Sequence, residues 1–114
     1  MPYTEHMAET MRADLGIQPG LSEKKMFGGL CFLLHGNMIC GVHAGGAMYR
    51  PGKPREAEAL AAGAEPLSFT GRKMGGMVEL DEGTFENDTL RATLTELSLT
   101  NAASLPPKKP KAKG

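Results

Sequence analysis

The sequence has no tryptophan, and only four phenylalanines and two tyrosines in 114 residues. So few ring faces leave little on which to stack the bases of a single strand. It has no excess of charge of either sign, since thirteen basic residues meet thirteen acidic ones. The distribution is uneven: Lys108, Lys109, Lys111 and Lys113 crowd the last nine residues, and the rest holds nine basic against thirteen acidic residues, a net of −4. A body of that sign lacks the basic patch of an electrostatic nucleic-acid binder. No apolar run approaches the roughly 20 residues that a spanning helix needs. Met1 to Gly16 is polar and amphipathic, without the apolar centre of a secretory signal. The expectation is a cytoplasmic chain without membrane contact, whose two cysteines, Cys31 and Cys40, are free thiols.

Motifs that carry chemistry are also missing. There is no G-x-x-x-x-G-K-[ST], no G-x-G-x-x-G and no G-x-S-x-G. Structural zinc favours close ligand pairs. Of Cys31, Cys40, His35 and His43, only Cys40 and His43 have such a spacing. Both cysteines stand among Phe, Leu, Met and Ile, where burial raises a thiol pKa and disfavours the nucleophilic thiolate. The acidic pairs Asp81-Glu82 and Glu86/Asp88 read as turn and helix-cap residues. The expectation is no catalytic residue, no metal and no cofactor.

What is present is a strand-forming middle, Lys24 to Arg50, punctuated by glycine. Leu30 to Leu34 and Met38 to Val42 are apolar runs of strand length. Gly36-Asn37 between them predicts a type II′ hairpin. That register opposes Leu33 to Cys40 and Cys31 to Val42. It puts Cys31, Leu33, His35, Met38, Cys40 and Val42 on one face, with Cys31 and Cys40 as diagonal neighbours. Leu30, Phe32, Leu34, Ile39, Gly41 and His43 take the other. Two apolar faces imply a central position with helices over at least one side. Met26-Phe27-Gly28-Gly29 leads in and suits a bend or bulge.

Around this middle, Tyr3, Met7, Met11 and Leu15 form one stripe of a helix over Tyr3 to Leu15, stopped at Gly16. Glu23 to Phe27 reads as a first strand and Ala47 to Arg50 as a return strand, so three or four strands form a meander. Lys53 to Ala62 reads as a surface helix ending at Gly63. Pro66 to Thr70 is extended, Met74-Gly75-Gly76 is a glycine break, and Met77 to Leu80 is a last strand. Asn87 caps a helix with Leu90, Leu94, Leu97 and Asn101 inward. One domain, 1–105, is followed by a disordered Pro/Lys-rich tail, 106–114.

Five segments occur in order: K-K-M-F-G-G, G-N-M-I-C-G-V, M-Y-R-P-G, P-L-S-F-T-G-R-K-M-G-G-M-V and S-L-P-P-K-K. In these the chain resembles the N-terminal domain of the bacterial TfoX (Sxy) competence-regulator family, over about Lys24 to Pro107. Met26, Phe27, Gly28, Gly29, Gly71, Arg72, Met74 and Gly76 match its pattern, most of them architectural. The resemblance implies an α+β fold of secretion-chaperone-like, YgaC/TfoX-N type: one antiparallel sheet with packed helices, in the order α-β-β-β-α-β-β-α. The founding members are not known as enzymes. They promote DNA-uptake genes together with the cyclic-AMP receptor protein, and carry a second, helical domain; this chain reads as a stand-alone first domain.

The expected function is a non-enzymatic regulatory adaptor working through protein–protein contacts in transcription, with a homodimer as one arrangement. Arg50, at a strand end, and Arg72-Lys73, beside a turn, form the candidate contact surface. The alternative is a small anionic-ligand or enzymatic domain with its site near Arg50, Arg72 and Lys73. The lysine tail is a candidate for weak polyanion contact.

Overall fold

The computed structural model describes residues 5–26, 29–43, 46–69 and 72–105, without the side chains of 26, 67–69 and 72–75. Phe27, Gly28, Gly71, the side chains of Met26 and Met74, and the lysine tail therefore lie outside the described residues, as do Pro2 and Tyr3.

One six-stranded antiparallel sheet forms the frame, in the order β1-β2-β3-β4-β6-β5. Its strands are β1 (Leu21–Met26), β2 (Gly29–Leu34), β3 (Asn37–His43), β4 (Gly46–Tyr49), β5 (Glu65–Phe69) and β6 (Arg72–Asp81). Four helices accompany it: α1 (Glu5–Leu15), α2 (Glu56–Ala62), α3 (Glu82–Phe85) and α4 (Asp88–Ser104). The class is the α+β arrangement that the sequence implies. Four strands, not three, precede α2, because β1 and β4 both pair into the sheet beside the central β2–β3 hairpin.

The helices form where spacing and caps dictate. Met7, Met11 and Leu15 bury the stripe of α1, and Gly16 ends it at φ 67. Asn87 caps α4 by accepting from Leu90 N–H at 3.0 Å, and Leu90, Leu94, Leu97 and Asn101 are buried. Each such leucine contributes roughly 2 kcal/mol of burial. Asp81 ends β6 and caps α3, which Glu82 begins, so the pair read as turn and helix-cap residues opens a short helix. The Asp81 carboxylate accepts from Thr84 N–H at 2.7 Å, and this charge-stabilised contact holds its pKa below the ordinary value.

The central hairpin departs from expectation. Its two-residue turn is His35-Gly36, both at positive φ (51 and 84), and Leu34 pairs with Asn37. That is the primed turn matching strand twist. The ladder then shifts between Phe32 and Leu33, leaving Ile39 as an extra residue: Phe32 opposes Cys40 and Cys31 opposes Gly41. A one-residue bulge reverses every side chain after it. Cys40 and Val42 therefore join Leu30, Phe32 and Leu34 in the helix-covered core, while Cys31 and Met38 face the other way. The two cysteines are on opposite faces, not diagonal neighbours.

β6 also runs longer than expected. The strand continues through Gly75-Gly76, but its pairing with β5 is interrupted there, between Lys73 and Val78, where Gly76 adopts φ 81. Every described helix contributes to the cluster on the core face, and the opposite face has a separate cluster of Cys31, Met38, Met48 and Met77. Among the described residues, no helix is long and apolar enough to cross a membrane.

Candidate functional site

Two of the sequence segments meet in space. Arg50-Pro51-Gly52 follows β4, and Gly76 lies in β6 beside it. Gly52 N–H donates to the Gly76 carbonyl at 3.1 Å, and Gly76 N–H donates to Glu56 Oε1 of α2 at 3.1 Å. Arg50 N–H donates to the Ile39 carbonyl at 2.9 Å, and Asn101 Nδ2 of α4 donates to the Arg50 carbonyl at 3.3 Å. Pro51 is fully buried. Gly52 has φ 88, and a Cβ there would stand 2.3 Å from Asn101 Oδ1. This junction ties two strands and two helices through backbone groups. Its glycines exist for close approach.

The candidate contact residues lie on β6 and at the end of β4, two interior strands of the sheet. Arg50 is half-buried at the end of β4. Tyr49 pairs with Val78, so Arg50 lies next to Met77 along the ladder, whereas Arg72 pairs with Phe69 at the start of β6. Five residues at about 3.3 Å each separate Arg72 from Met77, roughly 16 Å. Lys73 pairs with Ser68. The structure thus brings Arg72 and Lys73 together at one hairpin end, with Arg50 away from them.

Neither thiol is poised for attack. Burial pushes the Cys31 pKa up to about 11. Burial raises Cys40 well above its ordinary value, with smaller contributions from Cys31 and Asp14. Tyr49, fully buried, is raised in the same way by burial. Its hydroxyl stands beside that of Thr95 without the geometry of a hydrogen bond. Among the described residues, no three of His, Cys, Asp and Glu cluster as ligands.

His43 sits on the outer face, opposite Cys40, as the spacing implies. Its pKa is lowered, first by loss of hydration and in part restored by Glu79. A base held below its unfolded value takes up a proton first in the unfolded chain. Its contribution to stability is therefore complete above about pH 6.5 and is lost as pH falls from there through the folded value. His43→Gln should flatten the pH dependence of the urea midpoint in that window. An unchanged slope would contradict this environment for the ring.

Sequence reasoning missed Glu56, Asn101 and the Arg91–Asp14 pair. Arg91 Nε meets Asp14 Oδ2 at 2.7 Å, its Nη2 meets Asp88 at 3.0 Å, and its Nη1 donates to the Phe85 carbonyl at 2.9 Å. Only Asn101 left a trace, as a polar residue on a leucine stripe.

The model of the TfoX N-terminal domain matches residues 15–102. The chain belongs to that family. The matched span contains all six strands and both halves of the Arg50–Gly76 junction. The TfoX N-terminal pattern residues Gly29 and Gly76 are described, and both stand where the backbone is crowded. No curated protein and no solved structure matches the chain.

Proposed function

We propose that this TfoX N-terminal domain is a non-enzymatic regulatory adaptor that acts through protein–protein contacts in transcription. The observation that carries this reading is the family match across the whole sheet. The environment of the polar groups supports it. The junction's Glu56 and Asn101 are engaged with backbone, Arg91 with Asp14, and burial keeps both thiols protonated. The surface we assign to the partner is the hairpin end bearing Arg72 and Lys73, beside a turn where contact residues tend to be displayed, with Arg50 beyond it.

Affinity capture of the tagged chain from its native cells tests this. The wild type should enrich a component of the transcription machinery. Arg72→Ala/Lys73→Ala should lose it while keeping the wild-type urea midpoint. Equal recovery by both would remove this surface from the account. Stabilisation of the purified chain by nucleotides or phosphorylated metabolites, with no protein captured, would contradict the adaptor reading in favour of an anionic-ligand domain.

A further inference from the structure

Among the described residues, the buried cluster on the outer face of the sheet is made only of sulfur side chains. Cys31, Met38, Met48 and Met77 pack together, with 0, 9, 0 and 9 % of their surfaces exposed. Among the described residues, the helix-covered core clusters 21, of which only Met7, Met11 and Cys40 carry sulfur. Apolar packing alone does not require that segregation, since leucine fills such space as well as methionine does.

The ladder explains how the four converge. Cys31 pairs with Gly41, and Gly41 pairs with Met48, so the three form one row across β2, β3 and β4. The middle member has no side chain. A Cβ on Gly41 would lie 3.1 Å from Cys31 Sγ and 3.1 Å from Met48 Cε. Thiol and thioether chain thus lean from both sides over one glycine. Met38 opposes Leu33, two residues beyond Cys31, and Met77 lies two residues before Glu79, the partner of Met48. These two, each slightly exposed, stand at the opening of the cluster.

We propose that this cluster is a binding site for a soft monovalent metal ion, copper(I) or silver(I), held by the Cys31 thiolate and the thioethers of Met38, Met48 and Met77. Thiolate and thioether donors select copper(I) over the harder divalent ions. Charge points the same way. The set holds a single ionisable donor, so a monovalent ion on one thiolate leaves an uncharged site. The reaction is ligand exchange without redox: the Cys31 S–H bond breaks, the S–metal bond forms and the proton passes to buffer.

The test is an anaerobic titration of the full chain against copper(I) held by the chromophoric chelator bicinchoninate. One equivalent should leave the chelator, with release of one proton. Silver(I) should shift the methyl carbon resonances of Met38, Met48 and Met77 but not those of Met7 and Met11. Cys31→Ser should weaken binding on the order of a hundredfold, and Met48→Leu about tenfold. Leucine conserves volume, so loss in that variant reads coordination rather than packing. Cys40→Ala, on the other face, should bind like the wild type. Failure to withdraw copper(I) would overturn the proposal. So would wild-type affinity in Met38→Leu/Met48→Leu/Met77→Leu, or equal losses in the Cys31 and Cys40 variants. If Cys31→Ser does not fold, the silver(I) shifts in the wild type decide alone.

Discussion

Alanine at Gly29 should destabilise the fold by about 3 kcal/mol or more, read as a lowered urea midpoint. Its Cβ would stand 1.9 Å from the Val42 carbonyl oxygen and 3.0 Å from His43 Cα. Both obstacles are backbone of the neighbouring strand, so relief requires β2 and β3 to part. The opposing effect is small: replacing glycine stabilises by roughly 0.4–1 kcal/mol through the unfolded chain. Steric conflict should therefore decide the sign. Gly83 in α3 is the internal control, because its added Cβ meets only Asp81 Oδ1 at 3.6 Å, an ordinary contact. Gly83→Ala should be neutral or slightly stabilising. Similar effects at the two positions would contradict the crowding at Gly29.

Arg91→Ala should cost about 3 kcal/mol, because it strands a largely buried carboxylate. The side chains of Arg91 and Asp14 are only 12 and 22 % exposed, and their contact at 2.7 Å joins α4 to α1. The same guanidinium holds the Phe85 carbonyl and lies 5.3 Å from the Phe85 ring, which ties in α3. The Asp88 arm adds little, since Asp88 is 89 % exposed and such pairs are solvent-screened. Removing both charges should cost less than removing one. Asp14→Leu/Arg91→Met is therefore expected to be more stable than Arg91→Ala. A loss below about 1 kcal/mol for Arg91→Ala would make the pair a surface contact in energetic terms.

The contrast between α4 and the central hairpin marks what the sequence made legible. Asn87, the leucine spacing and the absence of breakers specify α4 through neighbours three or four residues apart, and the structure agrees. The hairpin depends on two local exceptions. His35 takes a positive φ that non-glycine residues seldom adopt, and Ile39 adds a residue to one strand. Neither has a compositional signature in His-Gly-Asn or in an apolar run. Yet together they decide which face each cysteine occupies.

The candidate site was hidden for a different reason. Glu56 is 20 residues from Gly76, Asn101 is 51 from Arg50, and Arg91 is 77 from Asp14. Contacts at such separations leave no period to read. Glu56 looked like one more acid on an exposed helix. Gly76 looked like a break from the glycine pair alone; in the structure its amide and carbonyl find Glu56 and Gly52. The pattern glycines read as architectural do have structural reasons, since Gly29 and Gly76 both stand at crowded backbone.

In the glycine-punctuated middle, Cys31 and Cys40 are packed as buried thiols and neither is poised as a nucleophile. Alkylation of the metal-free chain with iodoacetamide near pH 8, read by mass spectrometry, tests this directly. Both thiols should stay unmodified while the chain is folded and react together once it is unfolded. Labelling of Cys31 or Cys40 in the folded chain, as fast as in the unfolded one, would reveal an available thiolate and contradict the claim.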